Sequence, residues 1–544
     1  MTSTAKSYDA GPTDRPVLEQ TIGANFEETV AHHPDVEALV DVAQGLRYTY
    51  AELDAEVDIV ARGLMALGID KGDRVAIWAP NCAQWTITQY ATAKIGAILV
   101  NVNPAYRTHE LAYVLNQSGA RALVAATAFK TSDYVAMVEQ VRPDVPALTD
   151  VLYLGTPDWD ALRAGAADVA PDALAQRMAD LSPSDAINIQ YTSGTTGFPK
   201  GATLSHRNIL NNGYFTTELI KLGPDDRLCI PVPFYHCFGM VMANLGCTSH
   251  GTTMVIPAPG FDPGATLTAI ERERCTAVYG VPTMFIAMQN HPEFADRDLS
   301  TLRTGIMAGA VCPVEVMKRC VNDMNMSEVA IAYGMTETSP VSCQTLIDDD
   351  LERRTSTIGR VHPHVEIKII DPDTGEIVER GEPGEFCTRG YSVMLGYWED
   401  DEKTAEAVDS DGWIHTGDLA VMRDDGYCNV VGRIKDMVIR GGENIYPREI
   451  EEFLLTHPDV EDAQVIGVPD DRYGEETCAW IRMKPGRAAL DAEGVRAFAA
   501  GKLAHYKIPR YVQVVDEFPM TVTGKVRKVE MRERSVAMLG LDPQ

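Results

Sequence analysis

The chain has 544 residues, 45% hydrophobic and 23% charged. That is the balance of an ordinary globular protein but too long for one comfortable core, so at least two domains are expected. Its 78 acidic against 48 basic side chains leave a formal net charge of −30, a surface that repels phosphate backbones and argues against nucleic acid as a partner. Eleven cysteines run from Cys82 to Cys478 with no CxxC pair and no metal-ligand spacing, which fits reduced thiols in the cytoplasm rather than a disulfide framework. The N-terminal MTSTAKSYDAGPTDRP has no apolar signal core, and no apolar run is long enough to span a bilayer. The oligomeric state stays open, with a homodimer among the options.

In chain order, Asp73–Ala79 reads as a strand, Asn81–Lys94 as a helix, Ala97–Asn101 as a strand, Thr108–Ser118 as a helix and Arg121–Ala125 as extended. Ala186–Ile189 predicts a strand feeding a Gly-rich loop. A second series follows: strand Thr252–Ile256, helix Pro263–Arg272 with Asp262 as its cap, strands Thr276–Gly280 and Leu302–Met307, a helix from Pro313 to about Asn322, and strand Val329–Tyr333. Two βαβ series imply parallel sheets covered by helices, an α/β architecture. After about Ile358 the pattern turns to short strands, at Glu366–Ile370, Gly384–Arg389 and Tyr427–Val431, with turn signals at Asp373–Gly375 and Asp424–Gly426. From Ile434 a helix (Arg448–Leu455), two strands (Ala463–Gly467, Thr477–Met483) and a helix (Ala492–Leu503) are enough for a small α+β domain. The boundary is placed at Arg433–Lys435, giving expected domains 1–433 and 434–544.

The most informative string is Tyr191-Thr192-Ser193-Gly194-Thr195-Thr196-Gly197-Phe198-Pro199-Lys200-Gly201. Its glycines let main-chain N–H groups approach an anion, four hydroxyls can donate to phosphate oxygens, and Lys200 supplies charge. A polyphosphate ligand is expected. The string is not a Walker A loop, because Pro199 stands where that pattern needs a second Gly before the Lys.

On these residues the chain resembles the adenylate-forming superfamily of acyl-CoA synthetases, peptide-synthetase adenylation domains and luciferases. The likeness runs from roughly Thr21 to Glu533, with six motifs in family order. Pro233-Phe234-Tyr235-His236-Cys237-Phe238-Gly239-Met240 and Arg440-Gly441-Gly442-Glu443-Asn444-Ile445-Tyr446-Pro447 bring it nearer the medium-chain fatty acyl-CoA synthetases. The fold this implies is a large N-terminal domain of two doubly wound βαβ subdomains plus a small β-barrel-like subdomain, followed by a small α+β C-terminal domain.

The resemblance also implies a set of roles. Thr192 to Lys200 would hold the ATP phosphates. In Tyr333-Gly334-Met335-Thr336-Glu337-Thr338, Tyr333 would lie against adenine, Thr336 would meet the α-phosphate, and Glu337 would hold Mg²⁺, for which a carboxylate is a suitable hard ligand. Gly309-Ala310-Val311 would form the other adenine wall and, at Gly309, part of the acyl pocket. Asp418, in Thr416-Gly417-Asp418, and Arg433 would hold the ribose. His236 would border the acyl pocket. Lys525, in Pro519-Met520-Thr521-Val522-Thr523-Gly524-Lys525, would be the catalytic lysine, Lys435 the hinge, and Arg440, Gly441, Gly442 and Glu443 the coenzyme A tunnel.

The implied activity is ATP-dependent conversion of a carboxylic acid to its acyl-adenylate and then to acyl-CoA, releasing pyrophosphate and AMP. Phe234-Tyr235-His236 lacks the Asp that amino-acid-activating relatives place beside this Phe, which disfavours an amino-acid substrate and leaves a medium-chain fatty acid in front. An aryl-CoA ligase and an adenylate-only fatty acyl-AMP ligase are the alternatives. A non-catalytic nucleotide-binding paralogue would be expected to lose Glu337 or Lys525, and both positions are filled.

Overall fold

A computed structural model describes residues 5–192, 199–310, 312–441, 443–520 and 526–541. The chain divides into two compact units: Asp9–Ile367 with Thr388–His415, and Met1–Tyr8 with Lys368–Cys387 and Thr416–Gln544.

The larger unit holds two mixed sheets. One has seven strands, ordered Gly396–Tyr397, Lys200–Ser205, Ala186–Thr192, Ile98–Asn101, Arg74–Trp78, Ala122–Ala125, Asp150–Tyr153. It is parallel from Ala186–Thr192 onward, and its first two strands run antiparallel to their neighbours. The second has nine strands. Six of them, Glu328–Gly334, Thr304–Ala308, Ala277–Gly280, Arg227–Cys229, Thr253–Ile256 and Glu37–Asp41, are parallel in that order. Antiparallel edges are added by Leu46–Thr49 on one side and by Val341–Gln344 and Arg360–Val361 on the other.

The predicted elements of both βαβ series are present, most within two residues of their expected ends. The helix Thr108–Ser118 falls where the sequence places it. Asp262 caps Pro263–Arg272 by accepting from the Ala265 N–H at 2.7 Å. The strand expected at Ala186–Ile189 runs on to Thr192. The N-terminal strands Glu37–Asp41 and Leu46–Thr49 are an addition to the sequence reading: they complete a sheet whose other strands lie beyond residue 226.

One apolar cluster takes side chains from both sheets, such as Val75, Ile77, Met254 and Tyr279, and from the helices Tyr50–Ala66, Ala83–Ile95 and His206–Leu219. Many buried polar side chains in this interior are paired, as Tyr90 is with Thr248 at 2.6 Å and Asn188 with the Leu99 carbonyl at 2.8 Å. Thr49 and Glu52 form a capping box at the start of Tyr50–Ala66, and Ser205 with Asn208 does the same for His206–Leu219. Three helices are also clasped through a charge. The Lys94 side chain, 0% exposed, places Nζ 3.0 Å from Glu27, 2.7 Å from Asp54 and 2.6 Å from Asp58, which belong to Ile22–His32 and Tyr50–Ala66. Burial alone would lower the pKa of this ammonium, but Asp54 and Asp58 more than reverse that and hold it above the ordinary lysine value.

The expected small β subdomain is a five-stranded sheet ordered Tyr8–Ala10, Val365–Ile370, Pro383–Gly390, Ile414–Met422, Cys428–Arg433, whose residues are divided between the two units; the smaller unit also holds the whole of Thr416–Gln544. Its C-terminal part is α+β. Val460–Asp470 and Gly474–Met483 form a long antiparallel pair, and the free edge of Gly474–Met483 takes Tyr511–Val514 in parallel and, at Gly474, Val438–Arg440, which pairs in turn with Glu443–Ile445. Pro447–Leu455, Ala492–Ala499 and Lys528–Leu539 are its helices. Ala492–Ala499 stops four residues short of the expected Leu503, and Gly501 follows it in the left-handed region at φ +72°, a conformation that ends helices. Among the described residues no helix is long and apolar enough to cross a membrane.

Candidate active site

The Gly-rich string lies at the tip of the antiparallel pair Ala186–Thr192 and Lys200–Ser205, where Thr192 faces Lys200 and Tyr191 faces Gly201. Ser193, Gly194, Thr195, Thr196, Gly197 and Phe198 lie outside the described residues. The base of the hairpin is fixed from the side. Tyr113 donates to the Pro199 carbonyl at 3.1 Å, and Tyr191 hydrogen-bonds Gln117. The residues on either side of 193–198 are thus fixed by side-chain hydrogen bonds to the helix Thr108–Ser118.

The second motif follows the strand Glu328–Gly334. Beside this strand runs Thr304–Ala308 in parallel, with Ala308 opposite Ala332. Gly309 and Ala310 thus follow directly on Thr304–Ala308, and Tyr333 and Gly334 end Glu328–Gly334, at the carboxyl edge of the sheet, the usual place for a ligand in an open α/β sheet. Gly309 has φ +86°, and both Gly309 and Ala310 are exposed. Val311 lies outside the described residues.

Beyond Gly334 the chain closes a tight turn. The Pro340 carbonyl accepts from the Met335 N–H at 3.0 Å and from the Thr338 hydroxyl at 2.6 Å. A Cβ at position 334 would lie 1.7 Å from that same oxygen. Gly334→Ala is therefore expected to destabilise the chain by about 1–3 kcal/mol through forced overlap, read as a lower thermal midpoint; an unchanged midpoint would mean that the turn opens to admit the methyl.

This turn carries Thr336 and Glu337 on a short 3₁₀ segment, Thr336–Thr338. Glu337 is only 6% exposed. Its Oε1 accepts from the Tyr397 hydroxyl at 2.8 Å and, more weakly, from Thr192 Oγ1 at 3.5 Å. Among the described residues no hydrogen bond reaches Oε2. Thr336 Oγ1 lies 3.9 Å from Cys237 Sγ, which ties the turn to the Pro233–Met240 string. In that string His236 Nδ1 accepts from the Phe238 N–H at 3.1 Å, and burial pushes the Tyr235 phenol up to about 12. Phe238–Leu245 follows as a fully buried π-helix.

Tyr397 is the residue that sequence reasoning missed. It lies 60 positions from Glu337 on a two-residue strand, Gly396–Tyr397, too short to announce itself. Its ring lies 4.8 Å from Lys200 Nζ. Burial and the neighbouring Glu337 charge push its pKa well above the usual phenol value, so it is a hydrogen-bond donor at any working pH.

The expected ribose and thiol residues lie in the smaller unit. Asp418 and Arg433 are register partners on adjacent strands, joined Nε to Oδ1 at 2.9 Å. Gly417 has φ +69°, and its N–H donates to Glu385 at 3.1 Å. Lys435 sits exposed on the 3₁₀ turn Ile434–Asp436. Arg440 pairs with the buried Glu476 and stacks over Tyr473 with its guanidinium 4.0 Å from the ring centre. Gly441, at φ +60°, donates its N–H to the Tyr473 carbonyl at 2.8 Å. Glu443 begins the strand Glu443–Ile445. Gly442 and Lys525 lie outside the described residues.

Comparison with known proteins covers most of the chain. The AMP-binding enzyme family matches residues 26–398, and the AMP-binding enzyme C-terminal domain matches residues 449–525. YngI of Bacillus subtilis is 49% identical over 96% of this chain and 99% of its own. The zebrafish (Danio rerio) mitochondrial medium-chain acyl-CoA ligase ACSF2 is 45% identical over 98% of this chain and 91% of its own. Among solved structures, the anthranilate CoA ligase AuaEII in complex with anthranoyl-AMP superposes with a TM-score of 0.86 at 25% identity, covering 97% of this chain and 99% of that one.

Proposed function

We propose, since the chain belongs to the AMP-binding enzyme family and is an AMP-forming acyl-CoA ligase, that the acid it activates is a medium-chain fatty acid. Support comes from the relative named as a medium-chain acyl-CoA ligase, and from the Pro233–Met240 string, which offers Phe234-Tyr235-His236 and no carboxylate for a substrate ammonium.

The chemistry follows from the problem. A carboxylate carbon is a poor electrophile because its oxygen is a poor leaving group. In the first half-reaction a carboxylate oxygen attacks the α-phosphorus of ATP and pyrophosphate leaves. In the second, the thiol sulfur of coenzyme A attacks the acyl carbon and AMP leaves. The protein's share of the first step is positioning and electrostatics. Thr192 to Lys200 hold the phosphates, Thr336 meets the α-phosphate, Tyr333 with Gly309, Ala310 and Val311 encloses adenine, and Asp418 with Arg433 holds the ribose. Lys525 brings a positive charge to the reacting phosphorus.

The single observation that carries this reading is the hairpin of the phosphate loop set against the Glu337 turn, with Thr192 and Glu337 in hydrogen-bond range. The donor set suits Mg²⁺: a buried carboxylate with one oxygen committed and a hydroxyl beside it. When bound, the ion would neutralise phosphate charge, with Glu337 as its protein ligand. Lys435 is the pivot between an N-terminal adenylation region, 1–433, and a mobile C-terminal domain, 434–544. Arg440, Gly441, Gly442 and Glu443 line the path of the thiol arm, and His236 with Gly309 borders the acyl chain. Eleven buried cysteines, with no disulfide among the described residues, support a reducing, cytoplasmic setting.

An aryl acid is the second reading, supported by the likeness to the anthranilate CoA ligase. The test is ATP-dependent thioester formation across acids of two to eighteen carbons plus benzoate and cinnamate, with and without coenzyme A. A thioester peak at medium chain lengths with AMP release is expected. A preference for benzoate or cinnamate moves the assignment to an aryl acid, and pyrophosphate release with no thioester overturns thiol transfer.

A further inference from the structure

The run 394–398 holds Glu337 at both of its ends. The Met394 N–H donates to the Glu337 carbonyl at 2.9 Å, and the Tyr397 hydroxyl donates to its carboxylate at 2.8 Å. The same run is fastened to the strand that leaves the phosphate loop. Leu395 N–H donates to the Thr203 carbonyl at 2.9 Å, and Trp398 N–H to the Gly201 carbonyl at 2.7 Å. Thr404 Oγ1 accepts the Tyr397 N–H at 2.8 Å, which fixes the tyrosine from its own side. The Tyr397 ring, 9% exposed, also lies under the Lys200 ammonium. One short segment therefore ties the acidic turn to the hairpin of the phosphate loop.

A glutamate side chain has three free torsions, and an unanchored one loses that freedom each time it takes a cation. A buried tyrosine hydroxyl requires an acceptor, and here the acceptor is that carboxylate. The Tyr397 hydroxyl commits Oε1, the Thr192 hydroxyl lies 3.5 Å from both Oε1 and the Lys200 carbonyl, and among the described residues no hydrogen bond reaches Oε2.

We propose that Tyr397 is a positioning residue for Glu337: its hydroxyl orients the carboxylate so that Oε2 meets the nucleotide-bound Mg²⁺, and its ring keeps that carboxylate in register with Lys200. The proposal rests on the reading of Glu337 as the metal carboxylate. Outer hydrogen-bond partners of metal ligands typically contribute 10–100-fold in metal affinity, so an effect of about tenfold is expected here.

The test uses the full chain and three variants, Y397F, Y397L and E337Q, titrated with ATP by calorimetry at a series of Mg²⁺ concentrations without acid substrate, and with AMP in EDTA. Phenylalanine keeps the ring, its burial and the Lys200 contact and removes only the hydroxyl. In Y397F the Mg²⁺ needed for half-maximal ATP binding should rise about tenfold, while AMP affinity in EDTA stays within about twofold, the precision of such a titration. Y397L should show the same Mg²⁺ shift and should in addition weaken metal-free ATP binding, because the Lys200 contact is gone. A shift in E337Q without one in Y397F overturns the role of Tyr397 and leaves the Glu337 reading standing. No shift in either variant overturns both. Loss of fold or of AMP affinity in Y397F makes the tyrosine a structural residue and overturns the assignment.

Discussion

Lys525→Ala is expected to slow acid-dependent pyrophosphate release by about 10²–10³-fold, the usual loss when one preorganised transition-state donor is removed. The same variant should still convert pre-made acyl-adenylate and coenzyme A to the thioester. The reason lies in where charge collects. As the acid oxygen closes on the α-phosphorus, negative charge gathers between the acid, the phosphoryl group and departing pyrophosphate. An ammonium placed there stabilises that state more than the separated substrates. In the thiol step the phosphorus is no longer under attack, and the charge has no such role. Lys435→Pro is the complementary variant. Lys435 sits in the 3₁₀ turn Ile434–Asp436, where proline's fixed φ would resist rotation of the backbone. It should therefore keep adenylation and lose thioester formation. Rapid-quench assays of the two half-reactions separate these outcomes, and equal loss of both steps in both variants would refute the domain-rotation reading.

Lys94→Met is expected to be the most destabilising of these changes, by about 3–5 kcal/mol, the cost of breaking a buried charge cluster by removing one partner. In thermal terms that is a fall of about 4–6 °C in the unfolding midpoint for a unit of this size. Methionine fills much the same volume but leaves Asp54 and Asp58 within a few ångströms of each other with no cation between them. The sign with pH follows. Lys94 titrates above its unfolded value, so in the native chain its contribution is whole below about pH 10.4 and fades only as pH rises through the folded value. In the variant, the uncompensated carboxylates should take up protons more readily when folded, so the deficit should shrink as pH falls from 7 toward 5. Scanning calorimetry across that range checks both statements. A deficit independent of pH would mean that lost packing, rather than charge, is responsible.

The sequence carries the nucleotide motifs openly because they are contiguous. Thr192–Lys200 suggests an anion from its own glycines, hydroxyls and lysine, whereas Tyr333–Glu337 stands out only through its resemblance to the family's second nucleotide motif. The two βαβ series are legible for the same reason, since each strand is a continuous apolar run between turn signals. What stayed hidden depends on meetings between distant residues. Glu37–Asp41 joins its sheet only through Thr253–Ile256. Tyr397 matters because a two-residue strand lands beside Lys200–Ser205. Lys94 reads as an ordinary charged residue near a helix end, where lysine is nearly always solvated, and its burial is decided by carboxylates on two other helices. The run Phe238–Leu245 advertises burial but not its π-helical winding, because apolar periodicity hardly distinguishes the two geometries.

The placing of Glu37–Asp41 in the second sheet has a consequence for how the protein is made. Its parallel partner, Thr253–Ile256, is synthesised more than 200 residues later, which at ordinary elongation rates of about 5–20 residues per second is a delay of roughly 10–40 s. Throughout that interval the nascent chain carries a strand with one backbone edge unpaired, its other edge joined only to Leu46–Thr49. Synthesis is therefore the stage at which this chain depends most on holding chaperones, and a stalled or truncated product ending before residue 253 should be sticky even though the strands from Arg74 to Tyr153 have already found one another.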